Sequence, residues 1–219
     1  MAKKAIIIGA TGLTGGLLLM RLLEDDRYES IKLFSRKSCK ITHPKLEETL
    51  IDLMDIENYK NKFIADEVFC CIGTTKAKTP DEEAYLSIDY GIPVSLAKLC
   101  AQNNIGTFVI ISALGANKKS KVFYSRIKGR MEEDILKEKI KNTYILQPSL
   151  ISGKRMEKRF AEKTAILLMK IINPLLIGSL KKYRSIYPDA IVSAMIWLVN
   201  NEYKSGRIPS DLIQEMSKN

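Results

Sequence analysis

Histidine, tryptophan and long apolar runs are scarce in this chain. One His among 219 residues argues against a Cys/His zinc site, and no metal is expected. The four cysteines, Cys39, Cys70, Cys71 and Cys100, form no CxxC pair. Cys70 and Cys71 sit in an apolar run that reads as a buried strand, so they read as small core residues in a reduced protein, and a cytoplasmic location is expected. The apolar stretch TAILLMKIINPLLIG at 164–178 is interrupted by Lys170, Asn173 and Pro174. It falls short of the ~20 apolar residues of a membrane span and reads as a buried helix, a pocket lid or an oligomer contact. The apolar run Ala5–Ile8 is too short for a signal peptide and leads into a glycine loop. His43, in a THP loop, reads as a surface residue.

What is present is a globular composition, 46% hydrophobic and 27% charged, with a net charge of +10. That charge admits three kinds of partner: nucleic acid, an anionic membrane or a phosphorylated small molecule. The basic residues are scattered, with local clusters at Lys118–Lys121, Lys154–Arg159 and Lys181–Arg184. Neither a recognition-helix pattern nor an aromatic-basic sheet motif accompanies them, so a solvated lysine-rich surface is expected and nucleic acid is not.

Apolar runs alternate with helical patterns along the chain. KKAIIIGA, SIKLFSR, LEETLIDL, DEVFCCIG, GTFVIISALG and TYILQPSL read as six strands. Asp81 to Asn103 reads as a helix broken near Pro93, VFYSRIKGRMEEDILKEK as a long amphipathic helix, and Tyr187 to Asn200 as another. This order implies an α/β, doubly wound, mostly parallel sheet with helices on both faces. One domain over 1–219 is expected, with 150–219 as a small substrate-side cap. Ligands of such sheets bind beyond the carboxyl ends of the strands.

GATGLTG puts Gly9, Gly12 and Gly15 between the first strand and its helix. A turn this tight beside a pyrophosphate needs residues without Cβ, and the helix start offers free N–H groups and a positive dipole end. The GxxGxxG spacing differs from the simplest dinucleotide fingerprint, GxGxxG. At the end of the second strand stand Ser35, Arg36 and Lys37, with no carboxylate for a free ribose 2′-OH. Arg and Lys suit a 2′-phosphate, which favours NADP(H) over NAD(H).

A tyrosine and a lysine four residues apart occur twice, in YESIK from Tyr28 and in YSRIK from Tyr124. Tyr28 lies before the second strand, on the amino side of the sheet, and is discounted. Tyr124 and Lys128 share one face near the start of the long helix after the fifth strand. The ammonium favours an ionised phenol, so Tyr124 could exchange a proton with a carbonyl or alcohol oxygen. Ser112, at the end of the fifth strand, could fix that oxygen. Asp89 reads either as part of the same hydrogen-bond network or as a helix-surface carboxylate. Arg155 could face an acidic substrate.

GATGLTG, Ser112 and YSRIK together resemble the short-chain dehydrogenase/reductase superfamily in its extended or atypical branch. The segments VFCCIGTTKAKT, SALGANKKSKVFYSRIKGRMEE and QPSLISGKR are similar to the Tat-interactive protein group within it. The resemblance implies that Gly9, Thr11, Gly12, Leu13 and Thr14 contact the pyrophosphate and Arg36 the 2′-phosphate. Asp52 would face the adenine amino group beside Leu53, and Gly73 and Thr74 would line the adenosine and ribose wall. It makes Tyr124 the acid/base, Lys128 the holder of the nicotinamide ribose and Ser112 the polariser of the substrate oxygen, with Pro148 near the nicotinamide. Gln147 departs from the Arg that many such proteins carry before the proline.

The expected function is an NADP(H)-dependent reductase of a small carbonyl or alcohol compound, monomeric or homodimeric, with an epimerase or isomerase as a variant. A non-catalytic NADPH-binding regulator is the alternative.

Overall fold

The first strand dictates the layering. In β1 (Lys3–Ile8) the last four residues are buried. Ala5 and Ile7 join one apolar cluster, and Ile6 and Ile8 join another. Successive side chains of a strand point to opposite faces, so an unbroken apolar run needs a cover on each side. The computed structural model, which describes residues 2–152, 176 and 178–218, has both covers. On one face lie α1 (Leu13–Glu24), α5 (Pro188–Asn200) and α6 (Ser210–Met216). On the other lie the 3₁₀ segment Leu53–Lys62, α3 (Ile92–Gln102) and α4 (Phe123–Lys137).

The remaining strands are β2 (Tyr28–Ser35), β3 (Leu46–Leu50), β4 (Glu67–Cys70), β5 (Thr107–Ile111), β6 (Asn142–Gln147) and β7 (Gly206–Pro209). Their order is β3-β2-β1-β4-β5-β6-β7, and every pairing is parallel. This is the doubly wound Rossmann arrangement. Strand order reverses between β1 and β4, which opens a crevice at their carboxyl ends.

Three features depart from the sequence reading. The first is β7, four residues long with Gly and Pro at its ends, too short for a periodic signal and tolerant of proline because it is an edge strand. It extends the sheet, and α5 and α6 pack on one face of it; residues 153–175 and 177, with Arg155 and most of the 164–178 stretch, lie outside the described residues. The second is the break expected at Pro93. The helix that starts as α2 (Glu82–Leu86) passes through one π turn, Ser87–Gly91, where Ile92 N–H bonds Ser87 C=O. Pro93, lacking an N–H, then occupies the first turn of α3. This turn carries Asp89 inward, where it is fully buried. The third only narrows the mostly parallel sheet expected: among the described residues every strand pairing is parallel.

At the amino end of the sheet, Tyr28 opens β2 and donates its hydroxyl proton to the buried Glu67 at 2.6 Å, while Lys3 pairs with the same carboxylate. All four cysteines are free, and burial pushes the Cys70 thiol up to about 12. Among the described residues no helix is long and apolar enough to cross a membrane, and no group of three or more His, Cys, Asp or Glu is placed to hold a metal ion.

Candidate functional site

The floor of the crevice is made of backbone. Ile8 C=O accepts the Cys71 N–H at 2.8 Å, joining the ends of β1 and β4. Gly9 has φ +91°, and a Cβ there would lie 2.8 Å from the Cys71 carbonyl. A Cβ on Gly15 would lie 2.3 Å from Gly9 C=O, and one on Gly12 3.1 Å from the same oxygen. Gly12 caps α1 with no side-chain hydrogen bond, and the first turn holds no acidic residue. The first N–H groups of α1 therefore keep their positive field for an anion. Thr11 and Leu13 are exposed beside this turn, while Thr14 is buried under it. The glycine cradle and the uncapped helix start fit the pyrophosphate of a dinucleotide.

Along one wall, Arg36 and Lys37 are exposed where β2 ends. Asp52 is exposed after β3 and caps the 3₁₀ segment by accepting Met54 N–H at 3.0 Å; Leu53 beside it is buried.

Along the other wall, the loop after β4 meets α4. The Lys128 ammonium lies 2.8 Å from Asp89 Oδ1, and Thr74 N–H donates to Asp89 Oδ2 at 2.7 Å. A Cβ on Gly73 would sit 3.6 Å from Asp89 Oδ1 and 3.9 Å from Lys128 Nζ, so the loop after β4 packs directly against this pair. Asp89 is thus a member of the network, and the surface alternative is excluded. Burial alone would lower the Lys128 pKa, but the charges of Asp89 and Tyr124 outweigh it and the net shift is upward.

Tyr124 stands one turn before Lys128 and is 40% exposed as a residue. Burial raises its pKa, Lys128 pulls it down and Asp89 pushes it up, and the net direction is upward. The lowering expected from Lys128 alone is overcome by desolvation and by the Asp89 carboxylate.

Ser112 is placed differently from its expected role. It is buried, and its hydroxyl donates to Glu132 Oε1 at 2.5 Å. A serine has one proton to donate, so this hydroxyl is not available to polarise a substrate oxygen. Glu132, fully buried on α4, also accepts from Gln147 Nε2 at 2.9 and 3.0 Å and from Arg207 Nε at 2.6 Å. The network ties α4 to β5, β6 and β7. Gln147 and Arg207 together supply donors to this carboxylate. Neither Glu132 nor Arg207 stood out in the sequence, although Glu132 repeats the spacing of the Tyr124–Lys128 face once more. Pro148 is buried next to Gln147, its C=O accepting Leu114 N–H at 2.9 Å.

Residues 9–153 match the model of a family described as NAD(P)H-binding. The chain belongs to that family. The chain is 33% identical over 158 residues to the mitochondrial protein FMP52 of Debaryomyces hansenii, covering 71% of this chain and 70% of that one. It is 34% identical over 164 residues to the FMP52 protein of Candida glabrata, covering 72% and 68%. Those relatives are named as mitochondrial, and the cytoplasmic expectation is corrected on that finding. Free thiols fit any reducing compartment and do not single out one. Among solved structures, Thermotoga maritima UDP-glucose 4-epimerase aligns with TM-score 0.68 at 15% identity over 98% of this chain and 82% of that one. Bordetella bronchiseptica WbmG, solved with NAD, aligns with TM-score 0.71 at 11% identity over 100% and 77%. These two likenesses show the Rossmann fold.

Proposed function

We propose that the protein is an NADP(H)-dependent oxidoreductase of the atypical short-chain dehydrogenase/reductase type, acting on the carbonyl or alcohol group of a small molecule. The resemblance to the Tat-interactive group belongs to this reading. The observation that supports it is the Lys128–Asp89 pair, tied to Thr74 in the loop after β4 and one helical turn from Tyr124, with the glycine cradle packed on the start of the same loop. Gly9, Thr11, Gly12, Leu13 and Thr14 would hold the pyrophosphate, and Arg36 the 2′-phosphate. Asp52, Leu53, Gly73 and Thr74 would line the adenosine side, and Pro148 the nicotinamide side. When bound, the cofactor supplies or accepts the hydride. Tyr124 gives its phenolic proton to the substrate oxygen in reduction, or takes the proton back in oxidation. Lys128, held by Asp89, carries the positive charge that favours the phenolate left behind.

Titration with NADPH and NADH tests the reading. NADPH should bind more tightly, and Arg36→Ala should weaken NADPH by about tenfold or more while leaving NADH unchanged. Equal affinities would remove the 2′-phosphate assignment. Tyr124→Phe should lower turnover by at least about a hundredfold; full turnover in that variant would overturn the acid/base role.

The capture of the Ser112 hydroxyl by Glu132 favours a second reading, a cofactor-binding regulator without turnover. It is separated from the first by NADPH binding that persists with no reduction of any carbonyl compound.

A further inference from the structure

We propose that Tyr85 is the second hydrogen-bond donor of this site, its phenol reaching the substrate oxygen on which Tyr124 acts. The proposal rests on the oxidoreductase reading and adds a catalytic residue to it.

Tyr85 lies on α2, after the β4 loop that forms one wall of the crevice. It is 1% exposed, and among the described residues its hydroxyl has no hydrogen-bond partner. A buried hydroxyl with its proton unused is a net cost to folding, and a phenylalanine would pack there without that cost. Tyr85 stacks edge-on against Phe123, ring centroids 5.4 Å apart, and Phe123 is the neighbour of Tyr124. One helical turn beyond Tyr85 on its own segment is Asp89, the partner of Lys128. Tyr85 is therefore set between the two elements that carry the Tyr124, Lys128 and Asp89 side chains. The Lys76 ammonium lies 4.5 Å from the Phe123 ring centre and 5.9 Å from that of Tyr85, covering the aromatic pair.

The donor expected beside Tyr124 is also engaged elsewhere. Reduction of a carbonyl leaves charge on its oxygen, and two donors fix that oxygen better than one. Ser112 has given its proton to Glu132. Burial, then the charges of Asp89 and of an ionised Tyr124, raise the Tyr85 pKa, so this phenol keeps its proton while Tyr124 exchanges one. Tyr85 makes and breaks no covalent bond; the proton that moves is that of Tyr124.

Three measurements on wild type, Tyr85→Phe and Ser112→Ala test this: thermal unfolding without ligand, NADPH titration, and isobutyramide titration into NADPH-loaded protein. Isobutyramide is a carbonyl that hydride does not reduce, so its binding reads the oxygen site without turnover. Tyr85→Phe should unfold at or above the wild-type temperature and bind NADPH within about twofold of wild type, yet hold isobutyramide about tenfold more weakly. Ser112→Ala should keep isobutyramide affinity within about threefold. Unfolding of Tyr85→Phe at a clearly lower temperature would reveal an internal partner for the hydroxyl and overturn the proposal. So would wild-type isobutyramide affinity in Tyr85→Phe, loss carried by Ser112→Ala instead, or no isobutyramide binding by wild type. Absence of NADPH binding by wild type defeats the underlying reading, and the proposal with it. NADPH binding with unchanged isobutyramide affinity in Tyr85→Phe defeats the role of Tyr85 alone.

Discussion

The Lys128 ammonium and the Asp89 carboxylate meet at 2.8 Å with side chains only 4% and 1% exposed. One residue comes from α4 and the other from the π turn before α3, so the pair clamps two elements together under the crevice. Thr74 N–H completes the carboxylate's coordination from the β4 loop.

Removing one partner of this pair strands a buried charge. Asp89→Ala should lower unfolding free energy by about 3–5 kcal/mol in urea titration. Adding Lys128→Met to that variant should recover much of the loss, because the orphaned ammonium is gone. A double variant no more stable than Asp89→Ala would show that the pair is not the source of the cost.

Gly129 sits in the middle of α4, where helix propensity alone makes alanine better by about 1 kcal/mol. A Cβ there would lie 2.2 Å from Lys118 N and 2.3 Å from Asn117 C. Gly129→Ala should therefore destabilise by about 1–3 kcal/mol, by pushing the Asn117–Lys118 turn off the helix. A stabilised variant in chemical denaturation would refute that contact.

Stability should fall at alkaline pH. Tyr28 and Tyr85 hold their protons above the ordinary phenol value of 10.0, chiefly through burial, and Cys70 holds its proton to about 12 against an ordinary 9.0. Above those ordinary values the unfolded chain has released protons that the native state retains, so ΔG of unfolding decreases as pH rises. The contribution is fully present below pH 9.0 and is lost progressively above it. Thermal melts stepped through this range should show the decline, and Tyr28→Phe should make it shallower beyond pH 10.0. A melting temperature level throughout would contradict the buried, protonated phenols.

The reductive rate should be level through neutral pH. Reduction needs protonated Tyr124, whose pKa lies above its ordinary 10.0 in the free protein because of burial. Reductive kcat/KM should fall only at higher pH. Lys128→Met removes a charge that lowers this pKa, so any residual activity should fall at a still higher pH. A fall moved toward neutral in that variant would reverse the assigned electrostatics.

The seat of Ser112 shows how a site residue can be misread. Phe108 and Ile110 face the α3–α4 side of the sheet, and Ser112 N–H continues the ladder to Leu146 C=O. The period of two points the Ser112 side chain to the same side, under α4, where Glu132 takes its proton. Alternation carried that information, but the partner could not be named from it, because Glu132, Gln147 and Arg207 are distant in sequence and meet only once β5, β6 and β7 are side by side.

Local chemistry alone determined the α/β alternation, the glycine cradle and the shared face of Tyr124 and Lys128, since unbroken apolar strands, Cβ-free turns and helical spacing are properties of short segments. Tertiary packing decided the rest: the edge strand β7, the inward turn of Asp89, the capture of Ser112 and a Tyr85 phenol with no hydrogen-bond partner among the described residues. Each of those depends on which charge or backbone group from a remote segment fills the space beside it, and desolvation makes that neighbour decisive.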